Sequence, residues 1–139
     1  MPEHIKRATI AQKPVVLEMF KDYLDEIRFY STSVPDWTGY RFFDLYWDEA
    51  DRVPFLILAN YKVAGFALTR RIAPVEWSIA EFYILPKFRN MHLGYKAALE
   101  IISEFDGQWE VQYFGSNTGA KRLWKKLQQM KPSIRLQEL

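Results

Sequence analysis

The stretch EFYILPKFRNMHLGYKAALEII, residues 81–102, changes from a strand pattern to a helix pattern across a short basic turn. Residues 81–85 read as the end of a buried strand, and the apolar residues of 93–102 follow helical spacing. A helix N-terminus presents unpaired N–H groups and partial positive charge, and Gly94 would let a ligand approach the backbone. The stretch therefore predicts a strand–turn–helix unit suited to an anion such as phosphate. A turn that only starts a helix explains the local pattern as well.

The composition predicts one globular domain spanning residues 1–139. Hydrophobic residues make up 49% of the chain and charged residues 26%, which is typical of a protein with a packed core. No apolar run is long enough for a membrane span, and the N-terminus does not resemble a signal peptide. We therefore expect a cytoplasmic protein that does not bind membranes. Two histidines and no cysteines give no convincing metal site, and nucleic-acid binding is weakly supported because the basic residues form no long stripe.

Charge is distributed unevenly along the chain. Residues 18–51 contain nine Asp and Glu against three Lys and Arg, whereas residues 86–139 contain five against nine. This asymmetry indicates an anionic ligand near the C-terminal half and a cationic one near the N-terminal half. Two differently charged solvent faces explain the same counts.

The remaining patterns predict an α/β (α+β) fold with a mixed sheet flanked by helices. The order along the chain is β-α-α-β-β-β-α-β-α-β. A helix spanning about residues 14–30 and a second one carrying Phe43, Tyr46, Trp47 and Ala50 precede three strands. Asn117 is the expected N-cap of the last helix. The predicted strands cover residues 3–10, 53–61, 62–72, 76–85, 108–114 and 133–139.

Three segments together resemble the GNAT superfamily of acyl-CoA-dependent N-acetyltransferases. Residues 89–94, RNMHLG, are similar to the family's pyrophosphate loop (Q/R)-x-x-G-x-(G/A). FYILPKFR before it resembles the family's fourth strand, and NTGAKRLWKKL, residues 117–127, resembles its Asn-x-x-Ala helix. The resemblance implies a GNAT-like, mostly antiparallel sheet with a shortened C-terminus, because only about one of the family's two last strands has room. The exposed sheet edge that follows would need a homodimer or a short charged edge.

The resemblance also implies acetyl-CoA as the cosubstrate. The residues it places against acetyl-CoA are Phe82, Tyr83, Ile84, Arg89, Asn90, Met91, His92, Leu93, Gly94, Tyr95, Asn117, Lys121 and Trp124. Two of them depart from the family pattern. His92 stands where the first loop glycine is usual, and Trp124 stands where many members place a tyrosine thought to protonate the leaving thiolate. An indole N–H donates hydrogen bonds but is no acid at neutral pH.

The implied reaction is direct attack of a primary amine on the thioester in a ternary complex. Such an amine has a pKa near ~10.4, so a base must take its proton. Strict alternation along the strand puts Glu81 on an apolar face with Trp77, Ile79, Tyr83 and Leu85, where burial would raise its pKa. We predict Glu81 as the base, although a Glu that reaches solvent or pairs with an Arg fits equally well. Tyr83 and Tyr113 are the candidate acids.

We expect a cationic amine as the acceptor. The loop and helix before the first long strand contain the predicted acceptor-binding residues Trp37, Tyr40 and Tyr46, with Asp36, Asp48 and Glu49 close by in the sequence. Aromatic faces and carboxylates both attract cations. The alternative to an enzyme is a catalytically inactive GNAT-fold module that binds CoA or a protein partner. His92 and Trp124 favour that alternative, whereas Glu81 and Asn117 favour the enzyme.

Overall fold

A computed structural model describes residues 3–139 of the chain. Six strands form one sheet in the order β1 to β6, which confirms the predicted α/β class and the predicted order of elements. The elements are β1 (Ile5–Arg7), α1 (Lys13–Ile27), α2 (Leu45–Asp48), β2 (Arg52–Ala59), β3 (Lys62–Ala73), β4 (Glu76–Ile84), α3 (Leu93–Glu104), β5 (Gln108–Tyr113), α4 (Thr118–Met130) and β6 (Arg135–Glu138).

Helices cover both faces of the sheet. Alternating side chains of the strands point to opposite faces, so the sheet builds two apolar clusters. On one face α3 and α4 pack through Ala97, Ile101 and Leu127. On the other face α1 and α2 pack through residues such as Phe20 and Tyr46. Full burial of one large apolar side chain contributes about 1.5–3 kcal/mol, so these two clusters supply most of the driving force for folding.

The sheet is mixed. Antiparallel pairing joins β1 to β2, β2 to β3 and β3 to β4. Parallel pairing joins β4 to β5 and β5 to β6, and in each case a helix makes the crossover that parallel neighbours require. In residues 3–139 β6 is the outermost strand on this side, paired to β5 from Glu110↔Arg135 to Tyr113↔Glu138.

The second helix is shorter than the stripe of Phe43, Tyr46, Trp47 and Ala50 predicted. Only Leu45–Asp48 is α-helical. Glu49 has extended backbone with φ −109 and ψ 135, which ends the helix before Ala50. Across residues 3–139 no helix has the length and apolar character needed to cross a membrane.

Strand β4 contains a β-bulge at Ala80. Leu68 of β3 pairs with Glu81 and Thr69 pairs with Ile79, so Ala80 is an extra residue on β4. A bulge of this kind shifts the alternation of side chains and bends the strand. Trp77 and Ile79 consequently face α3 and α4, whereas Glu81 lies opposite Leu68 on the α1 face. The prediction that Glu81 shares a face with Trp77 and Ile79 is therefore wrong.

Beyond the bulge the sheet opens. Parallel pairing of β4 with β5 runs from Glu76↔Gln108 to Ile79↔Val111 and stops there. Strand β4 continues to Ile84 while paired only to β3. A gap therefore separates residues 80–84 from the end of β5, and within residues 3–139 no strand pairs with the backbone edge of β4 that faces the gap.

Candidate functional site

The gap between β4 and β5 opens into a cavity of about 790 Å³. This volume is within the range of small-molecule sites. On the α3 and α4 side, Leu93, Gly94 and Trp124 line the cavity, and on the α1 side Tyr23 and Tyr40 line it. The cavity therefore reaches both faces of the sheet through the place where the two strands diverge.

Free backbone donors line the cavity where α3 begins. His92 is the N-cap, and its side chain makes no capping hydrogen bond. Within residues 3–139 no protein acceptor is found for the N–H groups of Leu93, Gly94 and Tyr95. A helix N-terminus with unpaired N–H groups attracts anions. The start of α3 can therefore bind a phosphate group.

The turn before α3 has left-handed backbone at two residues. Asn90 has φ 64, and His92 has φ 58 and ψ 12. Glycine adopts this region without strain, whereas other residues adopt it at some cost. His92 thus has the backbone conformation that a glycine would allow, and its side chain is exposed.

Gly94 leaves open space beside these N–H groups. A Cβ atom added there would lie 3.5 Å from Leu123, 3.6 Å from Phe82 and 3.7 Å from Ile84, all ordinary van der Waals distances. Its φ also lies outside the left-handed region. Neither packing nor backbone conformation therefore requires glycine at this position, which is consistent with close approach of a ligand.

Helix α4 contributes a cap and two cations to the cavity. The Asn117 side chain accepts a hydrogen bond from the Ala120 N–H at 3.2 Å, which confirms Asn117 as the N-cap. Asn117, Arg122 and Lys126 line the cavity. Lys121 does not line it, because its ammonium group lies 3.0 Å from the Glu138 carboxylate on β6. The sequence suggested both Lys121 and Arg122 for the phosphates of the cofactor, and of these two Arg122 lines the cavity.

Arg89 connects the end of β4 to α1. Its Nε donates to the Ile84 carbonyl at 2.8 Å, and its guanidinium group lies 2.9 Å from the Glu26 carboxylate. The structure therefore places this charge against α1, although Arg89 still lines the cavity. Asn90, His92 and Tyr95 line it as well, whereas Met91 is exposed outside it.

Trp124 packs between α4 and β4. It is buried, with its ring centroid 5.0 Å from that of Phe82 in an edge-to-face arrangement. Its indole N–H has no acceptor in the part of the chain that the structure describes. Phe82, Ile84 and Trp124 all line the cavity on the α3 and α4 face.

Glu81 lies at the cavity wall on the α1 face, bonded to two phenols. The Tyr23 hydroxyl donates to Oε2, and the Tyr40 hydroxyl donates to Oε1 at 3.4 Å. Burial raises the pKa of Glu81 to about 7, while the two hydrogen bonds oppose that rise. In residues 3–139 no Lys or Arg forms an ion pair with Glu81. The pKa values of Tyr23 and Tyr40 are raised by burial and by the nearby Glu81 carboxylate.

Two other tyrosines line the cavity. Tyr83 shares the face of Glu81, and burial raises its pKa. Tyr113 lies on β5, with its hydroxyl 3.5 Å from the Glu138 carboxylate. The three predicted catalytic residues, Glu81, Tyr83 and Tyr113, therefore lie around one cavity, and their roles stay predictions.

Of the predicted acceptor-binding residues, only Tyr40 lines the cavity. Tyr46 belongs to the core, with 3% of its surface exposed. Trp37 lies on the outer surface, where Lys21 Nζ is 4.8 Å from its ring centroid. The Asp36 carboxylate caps a turn by accepting from Thr38 and Gly39. Asp48 and Glu49 also lie outside the cavity.

Sequence reasoning missed several lining residues from distant parts of the chain. Tyr23 follows the apolar stripe of α1 and therefore looked like a core residue. Ile27, Val34, Gln112 and Phe114 also line the cavity without a motif that marks them. Among residues 3–139 no three His, Asp or Glu side chains come together in a way that could hold a metal ion.

Comparisons with known proteins agree on one fold. Residues 16–128 match the sequence profile of the Acetyltransferase (GNAT) family. An acetyltransferase from Thermus thermophilus is 16% identical, with a TM-score of 0.69 over 90% of this chain and 86% of that one. A ribosomal-protein-alanine N-acetyltransferase from Brucella melitensis is 15% identical, with a TM-score of 0.66 over 88% and 81%.

A third similar structure is an aminoglycoside acetyltransferase from an uncultured soil metagenomic sample. It is 14% identical to this chain, with a TM-score of 0.64 over 88% of this chain and 85% of that one. At these identities the likeness concerns the fold. No match is found among curated protein sequences.

Proposed function

This chain belongs to the GNAT family of acetyltransferases, and on that premise we propose that it transfers an acetyl group from acetyl-CoA to a primary amine. The transfer is a direct attack within a ternary complex. One observation carries the proposal: the free N–H groups at the start of α3 and the Glu81 carboxyl line the same cavity. An anion-binding end and a candidate base are thereby connected through the gap in the sheet.

The α3 and α4 side of the cavity fits the CoA part of the cosubstrate. The N–H groups of Leu93, Gly94 and Tyr95 would hold its diphosphate, with Arg122 and Lys126 adding positive charge. In the described part of the chain, no strand pairs with the β5-facing edge of β4 at Phe82, Tyr83 and Ile84. It can pair with the amides of an extended arm, as a sheet edge does with a peptide. Asn117 and Trp124 complete this wall, and bound acetyl-CoA supplies the thioester.

Glu81 acts as the general base in this proposal. With a pKa of about 7, it is half ionised at neutral pH and can take a proton from the ammonium form of the acceptor. The freed amine nitrogen bonds to the thioester carbon, the bond from that carbon to sulfur breaks, and the nitrogen loses its second proton to water to give the neutral amide. The departing thiolate takes a proton from Tyr83, from Tyr113 or from water, since the Trp124 indole cannot supply one at neutral pH.

The test combines binding and turnover. Isothermal titration with acetyl-CoA should show binding, and a free-thiol assay with a panel of primary amines should show CoA release. Glu81→Gln should lower kcat by about 10²–10⁴-fold without changing acetyl-CoA affinity. Glu110→Gln is the matched control, because Glu110 lies on β5 outside the cavity. Absence of acetyl-CoA binding would reject the proposal, and an unchanged rate in Glu81→Gln would reject the base assignment.

The second candidate is a module that binds CoA without catalysis. Trp124 favours it, because the indole fills the place of a proton donor and packs against Phe82. Such a module would bind acetyl-CoA and release no CoA with any amine. Thiol release above the uncatalysed rate would exclude it.

A further inference from the structure

Carboxylates are scarce in the cavity. Glu26 and Glu81 have the only side-chain carboxylates that line it within residues 3–139, and Glu26 is paired with Arg89 at 2.9 Å. Glu81 is thus the one lining side-chain carboxylate in that range that lacks a cationic partner. A ligand on the α1 side of the sheet therefore finds a single acidic side chain that is not already paired with a cation.

Apart from Glu26, the acidic residues of the N-terminal half lie outside the cavity. Glu18, Asp25, Asp44 and Glu49 each form an ion pair with a Lys or Arg on the surface. None of these four lines the cavity. Of the nine acidic residues in 18–51, only Glu26 lines the cavity, and its charge is paired with Arg89, so most of this acidic excess lies outside the site.

Much of the cavity wall on the α1 side is apolar. The rings of Tyr23 and Tyr40 adjoin its carboxyl through their hydroxyl groups. The other lining groups on this side include Leu24, Ile27, Val34 and Pro35. Of these, Ile27 and Val34 pack against the core cluster beneath α1, so this wall is built into the fold.

We propose that the acceptor is a single primary amine carried on an apolar or aromatic body. This inference rests on the proposed function and names the substrate class of the same site. Glu81 can balance one ammonium group, and the apolar wall favours burial of a hydrocarbon or ring. Every further ammonium group of a polyamine or aminoglycoside would lack an unpaired side-chain carboxylate in the cavity wall, since Glu26 is held by Arg89, and this is unfavourable.

Turnover of matched amines tests the substrate class. Phenethylamine has one amine on an aromatic body, spermidine is a polyamine, and kanamycin is an aminoglycoside. With the full chain and acetyl-CoA, kcat/KM for phenethylamine should exceed that for either polycation by at least about 100-fold. Equal or faster acetylation of spermidine or kanamycin would overturn the inference and leave the acetyltransferase proposal intact.

A charge variant and a binding measurement separate the two proposals. Val34→Glu adds a second carboxylate to the α1 wall, and Val34→Gln is the uncharged control. The ratio of kcat/KM for spermidine to kcat/KM for phenethylamine should be at least about tenfold higher in the Glu variant than in the Gln variant. Calorimetric titration of each amine into the full chain, alone and with excess CoA, should show that phenethylamine binds more tightly than spermidine or kanamycin. Failure of phenethylamine to bind would overturn the inference even if no amine is turned over.

Discussion

At the scale of single residues, two effects shift the pKa of Glu81 in opposite directions. Removal from water favours its neutral form, whereas the hydroxyl groups of Tyr23 and Tyr40 donate to its charged form. Burial is the larger effect, so the pKa of Glu81 rises to about 7. A carboxyl group with this pKa changes charge near neutral pH, which suits proton transfer.

This balance predicts a specific pH dependence. Wild-type kcat/KM should fall below a midpoint near pH 7 as Glu81 becomes protonated. Tyr23→Phe removes a hydrogen bond that lowers the pKa of Glu81, so the midpoint should move to higher pH. Tyr61→Phe, at a side chain that is 97% exposed, is the control. An unmoved midpoint in Tyr23→Phe would show that another group sets the profile.

The same residue predicts a pH-dependent cost to stability. The pKa of Glu81 rises from 4.5 to about 7 on folding, so the folded chain binds more protons between those values. Stability from this group is full below pH 4.5 and is lost as pH rises through 7. The gain in free energy of unfolding in Glu81→Gln over wild type should therefore be larger at pH 8 than at pH 5. We expect a difference of about 2–3 kcal/mol by urea unfolding, and a constant gain would contradict the shift.

At the scale of elements, the bulge in β4 shapes the site. Element order followed from the sequence because long apolar runs and caps such as Asn117 are local signals. The face of the sheet on which Glu81 lies could not be predicted in this way, because it depends on the pairing of Leu68 with Glu81 and of Thr69 with Ile79. The sequence also did not predict contacts between distant residues. Tyr23 and Glu81 are 58 positions apart, and Glu26 and Arg89 are 63 apart.

Deletion of Ala80 tests the bulge. Without this residue, β4 would pair with β3 in regular register across the site, and Glu81 would stay on the α1 face. The straighter β4 should extend its pairing with β5 and narrow the gap. We expect a folded protein by circular dichroism, with acetyl-CoA affinity lowered at least about tenfold by calorimetry. If the folded variant binds acetyl-CoA as tightly as wild type, the bulge is not what keeps the gap open.

Gly94→Ala tests the start of α3. The structure has room for the added methyl group, at contacts of 3.5–3.7 Å, and alanine favours helix over glycine. The melting temperature should therefore not decrease. Affinity for acetyl-CoA should fall at least about tenfold, because the methyl group occupies space beside the free N–H groups. A variant that binds as tightly as wild type would place the diphosphate elsewhere.

At the scale of the whole molecule, one opening in the sheet joins two differently lined regions. Free N–H groups, Arg122 and Lys126 lie on the α3 and α4 side, and the Glu81 cluster with its apolar wall lies on the α1 side. The edge strand β6 is four residues long and carries Arg135 and Glu138. Short charged edges resist pairing with another chain. The homodimer stays a prediction, which light scattering tests by measuring the mass of the protein in solution. The cytoplasmic location also stays a prediction.

The most direct test is backbone amide NMR of the full chain titrated with CoA. If the start of α3 binds the diphosphate and the edge of β4 binds the extended arm, the largest saturable shift changes will fall in residues 90–95 and 81–84. Amides of β1 and β2 serve as internal controls, because these strands lie away from the gap. Shift changes confined to other surfaces, or none at millimolar CoA, would contradict this account of the site.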